Sequence, residues 1–259
     1  MIFSKAKHAV CGVFLWVGML TGFSVDIHAQ TRIKFSSTED VAIAFYKTGK
    51  VVPNFESWIK AQPPYNATPW AKREMMMEQE KTRLQLAYKN FDPEEDFLVI
   101  RTYASVNPQE KVDEKGEKTH SLSMAFTEAP EALYFPYDFM EQRIVVVPHK
   151  IDVIMNSDIS LSQYEMIKEA VRTSSTNTLI VRLKPMKADL SRPYKIDGMD
   201  QWALTAEVVS MEVWSEQERL LWEYTVPWYV SPNTKKLNNL FKDRPTSSRE
   251  IGAVKPLFK

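Results

Sequence analysis

Two histidines, a run of three acids and a knot of aromatic rings are where this sequence has chemistry to offer. His120 and His149 lie far apart in the chain, each at the end of a predicted strand. A hydrolytic triad would place one of them beside a serine and a carboxylate, and a zinc site would recruit two carboxylates as well. The plainer expectation is a pair of surface or strand-end histidines. Glu94, Glu95 and Asp96 fall where a long helix should give way to a strand. Paired acids held roughly 5–10 Å apart hydrolyse glycosides. Consecutive side chains diverge in any regular structure, however, and an acidic run at a turn is ordinarily a solvated cap.

Tyr134, Phe135, Tyr137 and Phe139 surround Pro136. Rings in such a loop have the geometry to stack on a sugar, a peptide or a partner protein, and the competing reading has them plugging the core. A second binding candidate is the C-terminal stretch from residue 231 to 259, which holds seven Lys or Arg against Asp243 and Glu250. There Leu237, Leu240 and Phe241 recur at helical spacing among Lys235, Lys236, Lys242 and Arg244, a short amphipathic piece able to dock on a partner or an anionic membrane. A plain flexible terminus is the alternative. Met75, Met76 and Met77 cannot share one helical face, so at least one belongs at a boundary, where methionine suits adaptable contacts. Arg182 and Lys184 read as the solvated side of an edge strand.

Other chemistry is excluded by what the sequence lacks. Past Ala29 the glycines are Gly49, Gly116, Gly198 and Gly252, all far apart. Phosphate-cradling loops need clustered glycine so that backbone N–H groups can close on the anion. No G-x-S-x-G elbow occurs. The single Cys11 lies before Ala29, leaving no thiolate for catalysis, haem attachment or zinc in the rest of the chain. No cofactor, metal or catalytic residue is therefore expected.

The segment from Met1 to Ala29 has the three-part layout of a secretory signal peptide: a basic start at Lys5 and Lys7, an apolar run from Ala9 to Val25, and a small residue at Ala29 itself. An uncleaved anchor is the alternative. Without Lys5, Lys7 and Asp26, the 33 basic and 33 acidic residues become 31 and 32. That balance gives no reason to expect nucleic acid, which calls for a clear positive excess.

Elements that would position these side chains are legible in the spacing. Trp70, Met77, Leu84 and Phe91 recur every seven residues and predict one long helix after a cap at Thr68 and Pro69. Ser36 with Glu39, and Ser162 with Glu165, fit capping boxes opening two more helices. Phe97 onward alternates as a strand, with Leu98, Ile100, Thr102 and Ala104 on one face. Asn107 to Thr119 reads as a solvated hairpin loop, and Ser121 to Phe126 as the returning strand. Ile144 to Val147 predicts a strand covered on both faces. Thr178 to Lys184 should place Leu179, Val181 and Leu183 inward. Trp202 to Trp214 and Arg219 to Trp228 predict a hairpin; with Trp214 opposite Arg219, Val209, Met211 and Val213 share a face with Leu220, Trp222 and Tyr224.

The sequence thus predicts a signal peptide over 1–29, a single α+β domain over 30–230 and a basic tail over 231–259. The domain is expected to be a mainly antiparallel sheet carrying two or three helices. Export with no catalytic motif points to a non-catalytic binding or accessory protein of the bacterial cell envelope. Its expected place is the periplasm and its expected partner another envelope protein, with membrane contact only through the tail. Binding of a small molecule or lipid in the periplasm is the second reading, and a hydrolase using carboxylates or His149 the third.

Overall fold

The structure, a computed structural model, describes residues 33–127, 133–173, 177–196 and 198–232. In chain order the helices are α1 (Thr38–Thr48), α2 (Phe55–Ala61), α3 (Pro63–Ala67), α4 (Trp70–Asn90), α5 (Ile151–Ile154) and α6 (Leu161–Thr173). The strands are β1 (Leu98–Val112), β2 (Lys118–Phe126), β3 (Phe135–Phe139), β4 (Gln142–His149), β5 (Asn156–Asp158), β6 (Asn177–Ala188), β7 (Tyr194–Ile196), β8 (Met199–Trp214) and β9 (Leu220–Thr225). The proposed leader and the tail from residue 233, with Leu237 and Phe241, lie outside the described residues.

Strand β8 is the axis of the sheet, whose main path runs β3-β4-β8-β6-β1-β2-β5. β6 pairs with β8 from Leu204 to Trp214, which fills one edge of β8. β4, at Trp202 to Glu207, and β9, at Ser210 to Trp214, must then share the other edge end to end. A similar offset recurs in β1, whose first half pairs with β6 and second half with β2. Strands staggered in this way coil the sheet rather than leave it flat.

The sheet is mainly antiparallel, as expected, but holds one parallel pair among the described strands, and the helices outnumber the two or three expected. β4 runs parallel to β8, because α5, β5, α6, β6 and β7 intervene and supply the long crossover a parallel pair needs. Six helices occur among the described residues, several a turn or two long, α2 capped by Asn54 and α3 begun by Pro63. The fold is mixed α/β.

One face of the sheet carries the core. Leu179, Val181 and Leu183 of β6, Leu98, Ile100 and Ala104 of β1, and Ile144 and Val146 of β4 join Met211 and Val213 of β8 there. Val41 to Phe45 of α1 and Tyr164 and Ile167 of α6 close over them. Each fully buried aliphatic side chain stabilises by about 1.5–3 kcal/mol. Ser36 fixes how α1 enters: its N–H donates to the Val99 carbonyl at 2.8 Å and its Oγ accepts from the Val99 N–H at 2.9 Å. With Ser36 committed to β1, the capping box falls to Ser37 and Asp40 instead of Ser36 and Glu39. Glu39 pairs with Arg83 of α4. On α6 the box is Ser160 with Gln163, two positions before the expected one.

Helix α4 spans 21 residues, yet only Leu84 is buried. The seven-residue stripe holds at Met77, Leu84 and Phe91 and fails at Trp70, which is 84% exposed. Residues 69–75 are all exposed, so the first turns of α4 reach past the surface that its second half covers. Thr68 is not the cap, because its hydroxyl donates back to Pro64 of α3 at 2.8 Å. The expected loop from Asn107 to Thr119 is mostly strand. A ribbon of β1 and β2 runs out to a turn where Asp113 accepts from the N–H groups of Lys115 and Glu117, and Gly116 takes a positive φ of 82°. Its side chains are exposed on both sides, so the sequence there lacks apolar alternation.

Candidate functional site

The two strands that meet end to end along β8 leave a crevice between them. β4 stops at His149, opposite Glu207, and β9 ends its pairing at Thr225, opposite Ser210. Val208 and Val209 stand at the gap, where the Val209 carbonyl accepts from the Val226 N–H at 3.0 Å as the chain leaves β9. The cavity, of about 350 Å³, is lined by Ile154, Val208 and Val226 below and by His149, Lys150, Ser157, Glu207 and Tyr224 around the mouth. Crevices at the carboxyl end of a parallel strand, where pairing switches partner, are a recurrent place for ligands. Lys150 has a left-handed backbone, φ 58° and ψ 24°, where the chain turns from β4 into α5. Such a conformation is uncommon for a residue other than glycine, asparagine or aspartate.

Chemistry at this crevice is set by what its groups already hold. Ser157 donates its hydroxyl to the Ile154 carbonyl at 2.5 Å. Among the described residues no hydrogen bond joins His149 to Ser157 or to Glu207, so these three line one cavity without forming a triad. No three His, Cys, Asp or Glu side chains among the described residues converge as a metal would need.

A second polar constellation lies on the sheet face opposite the core. Arg182 is 5% exposed and Glu212 1%. Their side chains pair directly, Arg182 also donates to Ser210 at 3.1 Å, and Trp214 Nε1 donates to Glu212 at 2.9 Å. The expected solvated edge is thereby corrected for Arg182: β6 is an interior strand, and the segment after β9 folds back across this face. Burial there raises the Tyr229 phenol above its ordinary value, and Arg182, Glu212 and Glu223 act on it electrostatically. Phe97 packs with Trp228 and Tyr229 at ring separations of 6.4 and 5.6 Å. Lys184 bonds Glu94 at 2.9 Å and lies 5.9 Å from the Trp228 ring centroid.

The aromatic knot divides between core and surface. Phe135 and Phe139 are each 7% exposed, pointing into the core from β3, so their faces are occupied by protein. Phe135 meets Phe126 at 5.2 Å and Phe139 meets Trp58 at 4.6 Å. Phe139 also borders a hollow of about 370 Å³ with Tyr46 and Trp58, where the Tyr46 hydroxyl donates to Gln142. Tyr137 is half-buried, and burial pushes its phenol up to about 12. Tyr134 is half-buried at the entry to β3.

Of the histidines, His120 bonds Glu110 at 3.1 Å and packs on Tyr164 with ring centroids 4.7 Å apart. The Glu110 carboxyl is held below its usual range by hydrogen bonds from Lys118 and then His120. The acidic run is a closed turn: Asp96 accepts from the Asp92 N–H at 2.8 Å and Asp92 from the Glu94 N–H at 2.9 Å. Lys150, Ser157, Glu207 and Tyr224 carry no motif in the sequence. Lys150 follows His149 directly, and the pairing of β4 and β9 with β8 brings Glu207 and Tyr224 to it.

No protein-family model, curated protein or solved structure matches this chain.

Proposed function

We propose that this chain is an exported, non-catalytic binding or accessory protein of the bacterial cell envelope that docks on another envelope protein. The observation that carries the reading is Trp70, 84% exposed on the first turns of α4, a helix that also exposes Met75 and Leu86. Soluble proteins seldom leave an indole in water, and tryptophan is enriched among the few residues that dominate protein interfaces. The Thr68 hydroxyl donates to the Pro64 carbonyl and Arg73 donates to the carbonyls of Asn66 and Thr68, so the tip that presents Trp70 is held in one shape. A pre-shaped tip loses little entropy on docking.

Cross-linking in the native cells from a photoreactive residue at position 72 tests this. A discrete adduct that disappears with Trp70→Ala, in a chain of unchanged thermal stability, is the expected result. An adduct pattern indifferent to Trp70, or no adduct, removes α4 as the docking element.

A further inference from the structure

We infer that the crevice between β4 and β9 binds a small zwitterion with an apolar body, the simplest being a free α-amino acid with an aliphatic or aromatic side chain. The site is separate from the exposed tip of α4 and does not depend on it.

The crevice is a necessity of the strand order. β4 parallel and β9 antiparallel both pair with one edge of β8, and their ends leave Val208 and Val209 between them. The bottom is apolar, since Ile154, Val208 and Val226 are all buried. The mouth carries a cation and an anion that do not pair with each other. Lys150 is exposed, and among the described residues its ammonium meets no carboxylate. Glu207 sits between His149 on β4 and Lys184 on β6 in the strand register. The Lys184 ammonium bonds Glu94 at 2.9 Å and acts on Glu207 electrostatically, with no hydrogen bond to it. Among the described residues the Glu207 carboxylate receives no hydrogen bond.

A pocket with an apolar floor and two opposite charges, neither of them hydrogen-bonded among the described residues, is complemented by a molecule carrying both charges on an apolar body. Glu207 receives the ligand's ammonium, Lys150 its carboxylate, with the His149 imidazole beside them, and the aliphatic body lies on Ile154, Val208 and Val226. At about 350 Å³ the cavity stands at the small end of ligand pockets, which run from roughly 300 to 1,000 Å³.

Titration calorimetry on the full chain, with leucine and phenylalanine as probes, tests the inference. N-acetyl-leucine lacks the cation and leucine amide lacks the anion. Each should bind at least about tenfold more weakly than leucine, the worth of one charged hydrogen bond. Lys150→Met should abolish the preference for leucine over its amide, and Glu207→Gln the preference over N-acetyl-leucine, both in chains that melt as the parent does. Trp70→Ala should change neither. Absence of binding to either amino acid overturns the proposal. So does equal binding of all three leucine forms, or a preference that survives both substitutions.

Discussion

At the scale of single residues, Arg182 and Glu212 are the most deeply buried ion pair among the described residues. Both are buried, and Ser210 and Trp214 satisfy further donors and acceptors around them. Removing one partner leaves the other charged and desolvated, which costs about 3–5 kcal/mol, whereas removing both leaves an apolar site of similar volume at little cost. Urea unfolding should therefore find Arg182→Met and Glu212→Gln each far less stable than the Arg182→Met, Glu212→Leu double variant. Equal losses in all three would show that packing alone matters there. Asp189 behaves in the opposite regime, at the surface. Its carboxylate accepts from the Ser191 hydroxyl at 2.6 Å, the Tyr194 hydroxyl at 2.6 Å and the Ser191 N–H at 3.0 Å, which bring it from an ordinary 3.8 down to about 2. A depressed carboxylate contributes above its unfolded pKa and loses that contribution as pH falls through the folded one. The loop between β6 and β7 should keep its native amide shifts at pH 4 and lose them only toward pH 2, while Asp189→Asn removes the step. A transition centred at pH 4 would contradict these hydrogen bonds.

Among the elements, α4 separates what holds the fold from what the fold displays. Leu84 is fully buried against the other helices, so Leu84→Ala should cost about 2–5 kcal/mol in thermal or chemical unfolding. Trp70→Ala and Met75→Gln should stay within about 0.5 kcal/mol of the parent. If Trp70→Ala proves as costly as Leu84→Ala, the indole is part of the core. The heptad spacing found the helix and its inward line, but spacing cannot say how far a helix outruns the surface beneath it. The hairpin of β8 and β9 was legible but its register was not: Met211 stands opposite Tyr224 and Val213 opposite Trp222, two residues from where a pairing of Trp214 with Arg219 puts them. A bulge then places Leu220 opposite Trp214, one extra residue that no alternation reveals. Caps slipped by one or two positions because Ser36-Ser37 and Ser160-Leu161-Ser162 each offer two hydroxyls, and a contact with β1 decides the first pair. Arg182 was misread because alternation assigns a residue to a face without saying what covers that face. The crevice was not legible at all, since His149 and Glu207 are neighbours only through a parallel pairing of distant strands.

For the molecule as a whole, the return of the chain after β9 decides where the fold can be cut. Val226 and Ser231 are buried, the latter 1% exposed, and Tyr229 lies beside Arg182 and Glu212. Truncation after Val230 would remove a buried serine, so the informative pair ends at Pro232 and at Thr225. The chain ending at Pro232 keeps every buried contact among the described residues and should melt as the full protein does. The chain ending at Thr225 loses Val226 from the crevice floor, the Tyr229 cover over the ion pair, and the ring contacts of Phe97. Burial of one valine side chain is worth about 1.5–3 kcal/mol, and for a domain of this size each kcal/mol moves Tm by about 2–4 °C. With the tyrosine and the newly wetted ion pair added, the shorter chain should melt roughly 5–15 °C lower. Amide exchange should quicken at Ile180, Arg182 and Glu212 before it does at Leu84, because the loss begins on the face the segment covered. Equal melting of the two truncations would mean that the sheet protects its own outer face, and that Arg182 and Glu212 need no cover to stay paired.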